Sequence, residues 1–127
     1  MSIPVELHGL RDAVARFGPA PYLLTVAADG RPHSVSVHVQ WDGDDLVAKC
    51  GGRSLANVAA RPLVSLLWSP VEAGGYSLIL DGDGSVRGEG DESRAVIYPT
   101  RAVMHRPAQG PVPEGRSCSD DCVPILR

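Results

Sequence analysis

Cys50-Gly-Gly-Arg-Ser-Leu-Ala-Asn-Val-Ala-Ala-Arg-Pro-Leu-Val-Ser-Leu-Leu-Trp-Ser69 reads as the end of one strand, a glycine turn, a short helix and the next strand. Ser54 is placed to cap the helix by accepting a bond from an amide of the first turn. Pro62 stops it, because the residue before a proline is pushed out of helical geometry. Leu55, Val58 and Ala59 give the helix one apolar side to lay against a sheet. At its mouth, Gly51 and Gly52 let the backbone approach a ligand, the first-turn amides point outward, and Arg53 adds a guanidinium fork. Such a corner suits a phosphate or another anion. Standing alone, the same four residues also describe an ordinary strand-to-helix turn with a surface arginine.

The flanking sequence is punctuated at the spacing of a meander. Pro4 suits the first turn of a helix, with Leu7, Leu10, Val14 and Phe17 on one face and Gly18-Pro19 as its end. Tyr22 to Ala27 is a strand, and Ala28-Asp29-Gly30-Arg31-Pro32 turns it into a hairpin. From His33 to Val39 the alternation is clean, with His33, Val35, Val37 and Val39 on one side and Ser34, Ser36 and His38 on the other. After the turn at Asp42-Gly43-Asp44, Leu46, Ala48 and Cys50 share a face. Leu63 to Trp68 is apolar on both sides and reads as a central strand with neither face in water. Tyr76 to Leu80 is a strand, and Asp81-Gly82-Asp83-Gly84 is a turn or a bulge before Ser85 to Glu89. A last strand from Ala95 to Met104 bends at Pro99. Six short strands with two small helices predict a mainly β fold, an antiparallel barrel spanning 1–105. A proline-rich tail, 106–127, cannot build a core of its own.

Composition narrows the function. With 127 residues there is room for one domain, and an apolar fraction of 43% with only 5% aromatics implies a core of Val, Leu, Ile and Ala. A net charge of −3 with scattered basic residues argues against nucleic acid. No stretch is long and apolar enough for a membrane helix, and three cysteines suit a reducing cytoplasm. His33 and His38 point to opposite sides of a strand, so they cannot share a metal. Cys118 and Cys122 supply two ligands at most, too few for a structural zinc, and their spacing is not that of a redox pair.

Tyr22-Leu-Leu-Thr-Val-Ala-Ala-Asp-Gly-Arg-Pro-His-Ser, Trp41-Asp-Gly-Asp-Asp-Leu, Asn57-Val-Ala-Ala-Arg-Pro-Leu-Val-Ser-Leu and Tyr76-Ser-Leu-Ile-Leu-Asp-Gly together resemble the pyridoxamine 5′-phosphate oxidase-like, FMN-binding split-barrel family, in family order from about Pro21 to Gly90. The resemblance implies a homodimer with cofactors in clefts between the subunits, acting on a small-molecule substrate. It places the phosphate at Gly51, Gly52, Arg53, Ser54 and Asn57. It places the ring against Val35, Ser36, Val37 and His38 and against Val47 to Lys49. Trp68 and Tyr76 are added as rim aromatics, Trp68 either stacking on the ring across the dimer or sealing the interface. Where the family commonly carries a lysine three residues before the asparagine, this chain has Ser54, and Arg53 is the substitute. The implied cofactor is FMN, with the deazaflavin F420 as the alternative, since actinobacterial relatives often use it. No acid–base grouping stands out, as expected if the cofactor carries the chemistry; a non-catalytic carrier or sensor of flavin, deazaflavin or haem is the other reading. The apolar end Val123-Pro124-Ile125-Leu126 predicts a tail that docks as a lid over the cofactor or braces the dimer.

Overall fold

The computed structural model describes residues 1–108. Cys118, Cys122 and the expected lid at Val123 to Leu126 lie outside the described residues. Eight strands, β1 (Ser2–Pro4), β2 (Tyr22–Val26), β3 (Pro32–Ser36), β4 (His38–Asp42), β5 (Asp45–Lys49), β6 (Leu63–Trp68), β7 (Ser77–Arg87) and β8 (Arg94–His105), form one antiparallel sheet. Two helices accompany it, α1 (Leu10–Phe17) and α2 (Gly52–Ala60). The order across the sheet is β3-β2-β6-β7-β8-β5-β4, with β1 added on β8. Since β3 runs straight into β4, the chain itself joins the two edges of the sheet and curls it into a barrel.

Six strands become eight for two local reasons. The His33–Val39 run is split at Val37, whose amide bonds Pro21 O at 3.0 Å, while that of Val39 bonds Pro19 O at 2.8 Å. The side chains alternate without a break, as Val37 and Val39 face the core, so only the backbone partner changes. The second addition corrects the reading of Pro4 as a helix start: Pro4 sits in β1 opposite Val103. An edge strand tolerates a residue with no N–H. A single 3₁₀ turn (Leu7–Gly9) then leads into α1, and Leu7 is exposed rather than part of its apolar face.

The Asp81–Gly84 stretch is a bulge, not a turn. Asp81 pairs with Arg101 and Gly82 with Pro99, so the shift falls opposite the expected bend. Glycine is required on the inner face here. A Cβ at Gly82 would stand 2.6 Å from Ile97 Cγ2, and one at Gly84 2.7 Å from Val58 Cγ1. That close approach seats α2 against one end of the barrel, where the Gly84 amide also bonds Pro62 O at 2.7 Å. At the other end α1 buries Leu10, Ala13 and Val14, and Trp68 Nε1 donates to Gly18 O at 2.7 Å. The core between them is built from Leu23, Val37, Val39, Leu46, Ala48, Val58, Leu66, Leu78, Leu80 and Ile97.

The reading of β6 needs one correction. Val64, Leu66 and Trp68 are buried, but Ser65 and Leu67 are half-buried and Leu63 is 73% exposed, so within one chain its second face meets water.

Candidate functional site

The mouth of α2 is open. Gly51 is the N-cap with extended backbone, no side chain caps the helix, and its first turn holds no acidic residue. This corrects the role given to Ser54. It lies inside the first turn and is buried, because the helix begins three residues earlier than a serine cap would require. A Cβ at Gly51 or Gly52 would meet nothing within 4 Å, so the space over the first amides is free. Arg53 is exposed and has no hydrogen-bond or ion-pair partner among the described residues. The first-turn amides, without an intrahelical partner, stand at the positive end of the helix dipole, and the exposed Arg53 belongs to the same turn.

The strand leading into this corner adds charge. Lys49 ends β5 and pairs with His38, the first residue of β4; both are exposed and, like Ser36, point away from the core. Val35 and Val37 face inward, and the Val37 amide is already used by Pro21 O. On the opposite side of the same turn, Cys50 is half-buried. Desolvation raises the pKa of its thiol, against the lowering effects of a backbone hydrogen bond at Ala95 and of the Arg94 charge.

Asn57 and Trp68 are both buried, and each has an internal reason to be where it is. Asn57 Nδ2 donates to Thr25 Oγ1 at 3.1 Å and its Oδ1 accepts from Arg61 Nη2 at 3.4 Å, so this amide latches α2 to β2. Trp68 is 2% exposed and ties the end of α1 to the barrel, which leaves no open ring face. Tyr76 is half-buried, with Arg106 over its ring at 4.4 Å. It stands just before Ser77, seven residues along the strand from the Gly84 that abuts α2, about 23 Å at the rise of a β-strand. Trp68 and Tyr76 therefore belong to the α1 end of the barrel, and Gly51, Gly52, Arg53, Lys49 and His38 to the α2 end.

Sequence reasoning missed a cleft that the β7–β8 hairpin makes with β4 and β5. Arg94 pairs with Arg87 across the hairpin, and the two line a cleft of about 450 Å³ together with Gln40, Trp41, Asp42, Val47, Gly88 and Glu92. Arg87 donates to Asp42 Oδ2 at 2.6 Å and lies 4.0 Å from Asp45. Arg94 Nη1 donates to the carbonyls of Asp91 (3.0 Å) and Ser93 (2.9 Å). More than thirty residues separate Arg94 from β5 in the chain, and only the register Val47–Val96, Ala48–Ala95 reveals the proximity. Among the described residues no group of three His, Cys, Asp or Glu side chains is arranged to hold a metal.

This sheet order, with a helix sealing each end, is the fold of the pyridoxamine 5′-phosphate oxidase-like split barrels. A Listeria innocua protein provisionally assigned as a pyridoxamine 5′-phosphate oxidase superposes with a TM-score of 0.62 at 18% identity, over 78% of this chain and 98% of that one. The FAD-binding protein of Mycobacterium smegmatis does so with a TM-score of 0.61 at 14% identity, over 84% and 100%. An F420 reductase gives 0.52 at 19% identity, over 66% and 88%. Within that class the chain belongs to the family of two uncharacterised mycobacterial proteins, one from Mycobacterium bovis and one from Mycobacterium tuberculosis. It is 37% identical to each over 133 aligned positions, covering 94% of this chain and 93% of the relative. No protein-family model matches the chain.

Proposed function

We propose that this protein binds a flavin or a deazaflavin with its phosphate at the mouth of α2 and works as an oxidoreductase on a small organic substrate. The observation that carries this reading is the uncapped α2 terminus, with two open glycines and an Arg53 that has no partner among the described residues, on a split-barrel frame. Solved structures of this frame include proteins that are named for binding FAD and for acting on F420. The residues fit the phosphate end of such a cofactor: the first-turn amides and Arg53 donate, and no carboxylate in the first turn repels the anion. Lys49, His38 and Ser36 border the same corner and would orient the polar edge of the ring. When bound, the cofactor supplies hydride chemistry; the chain's part is to hold, orient and shield it. The protein is expected to work as a homodimer, each subunit closing the other's cleft, in the cytoplasm.

One observation favours a carrier or sensor instead. The buried polar side chains among the described residues are Thr25, Ser54 and Asn57, none of which trades a proton near neutral pH. The readings are separated by titrating the purified full chain with FMN, FAD, F420 and haem, then following oxidation of the reduced cofactor with added acceptors. An oxidoreductase binds a flavin or deazaflavin and turns over. Binding without turnover marks the carrier, and failure to bind any of the four refutes both.

A further inference from the structure

We infer that the cleft beside Arg11, between the start of α1, the β4–β5 turn and the bend of β8, binds a small aromatic zwitterion. The site is separate from the mouth of α2 and does not depend on the cofactor reading.

Register puts Trp41 at its centre. Trp41 pairs with Leu46, and Leu46 with Ile97. Paired residues share a face of the sheet, and Leu46 and Ile97 are fully buried. Trp41 therefore stands where the core reaches the rim of the barrel, half-buried and packed partly on the core. His38, at the mouth of α2, is three residues earlier on β4, about 10 Å away along the strand and on its other face.

The charges beside Trp41 are held in place but not neutralised. The Arg11 guanidinium carbon lies 4.6 Å from the centre of the Trp41 ring, and Arg11 Nη2 donates to the Gly43 carbonyl. These two contacts fix the cation, yet Arg11 makes no ion pair among the described residues. Asp44, on the adjacent turn, lines the same cleft and is likewise unpaired among the described residues. The cleft holds about 330 Å³, a size that suits a small molecule. The rest of its lining is largely apolar or aromatic: Leu10 and Pro99 are buried, and Tyr98 is 57% exposed.

Each feature answers to one part of a ligand. A carboxylate fits the remaining N–H groups of Arg11, with His8 on the lining as a further polar partner. An ammonium fits Asp44. A flat ring fits between Trp41 and Tyr98 over the apolar floor. Arg11 alone would suit any small anion, but Asp44 repels one that carries no positive group. The ligand class is thus an aromatic amino acid or a close analogue with both charges.

The test uses the full chain and three probes: L-phenylalanine, 3-phenylpropanoate, which lacks the ammonium, and 2-phenylethylamine, which lacks the carboxylate. Calorimetric titration is expected to show L-phenylalanine binding more tightly than either analogue. Arg11→Ala and Asp44→Asn should each weaken L-phenylalanine about tenfold, the effect of one lost charge-assisted bond. Both side chains are exposed, so the unfolding midpoints should not move. Asp44→Asn should also reverse the preference, so that 3-phenylpropanoate binds more tightly than L-phenylalanine. Location is read by acrylamide quenching: Trp41 is half-buried and Trp68 only 2% exposed, so bound L-phenylalanine should shield the fluorescence of Trp41. Absence of L-phenylalanine binding at millimolar concentration, or unaltered quenching, overturns the site. Binding that either substitution leaves unchanged, or wild type that prefers 3-phenylpropanoate, overturns the zwitterion.

Discussion

Single residues show how tightly the α2 end is built. Gly84 has no space for a Cβ, since Val58 Cγ1 stands 2.7 Å from where it would be. Gly84→Ala is therefore expected to destabilise the fold by about 1–3 kcal/mol, the usual cost of overpacking a filled site. Gly51→Ala, in open space, loses only the glycine's preference at the N-cap and should cost less than about 1 kcal/mol. Denaturant unfolding of the two variants checks the contrast. Cys50 gives a pH signature. Burial raises its folded-state pKa above the ordinary 9.0, so the unfolded chain loses the thiol proton first. The contribution is complete below 9.0 and is lost as pH rises through the folded value. Wild type should thus lose more stability between neutral and strongly alkaline pH than Cys50→Ser does; equal losses would show that the thiol is not desolvated.

At the scale of elements, side-chain patterning was readable and backbone partnership was not. The alternation from His33 to Val39 placed every side chain on its correct face, yet the switch of partner at Val37 carries no side-chain signal. Pro4 looked like a helix start because its fixed φ suits both a helix's first turn and an edge strand. In α2, the stop at Pro62 was legible and its buried face was legible in part: Val58 is buried and Leu55 packs on the core, but Ala59 is exposed while Asn57 is buried, because Thr25 and Arg61 satisfy the amide. The open glycine corner and the exposed Arg53 were legible because the chemistry is local. The nearness of Arg94 to Cys50 was not, because only sheet pairing brings β8 beside β5. Trp68 illustrates a third case: a tryptophan near a strand end suggests a rim, but its N–H found Gly18 O and drew it inside. Trp68→Phe should cost about 1–3 kcal/mol through the unsatisfied carbonyl and lost bond, read as a lower denaturation midpoint with ligand binding unchanged.

The whole molecule leaves an apolar row on the outside of the barrel. Tyr22 lies opposite Leu67, Leu67 opposite Ile79, and Ile79 opposite Val103, with Leu63 and Val26 exposed nearby. Side chains like these on a sheet face gain from being covered. A two-fold homodimer is the expected cover, burying more than about 1,000 Å² in total. Sedimentation equilibrium at micromolar concentration should return twice the chain mass; a single-chain mass would mean that the face serves another partner or none. The account as a whole turns on the mouth of α2, where the first-turn amides are uncapped and Arg53 has no partner among the described residues. The direct test is a cofactor titration of wild type beside Arg53→Ala. A loss of about 1.5–3 kcal/mol in binding, the range for a charge-assisted bond, with an unchanged unfolding midpoint is the predicted result. Identical affinities for the two proteins would contradict it.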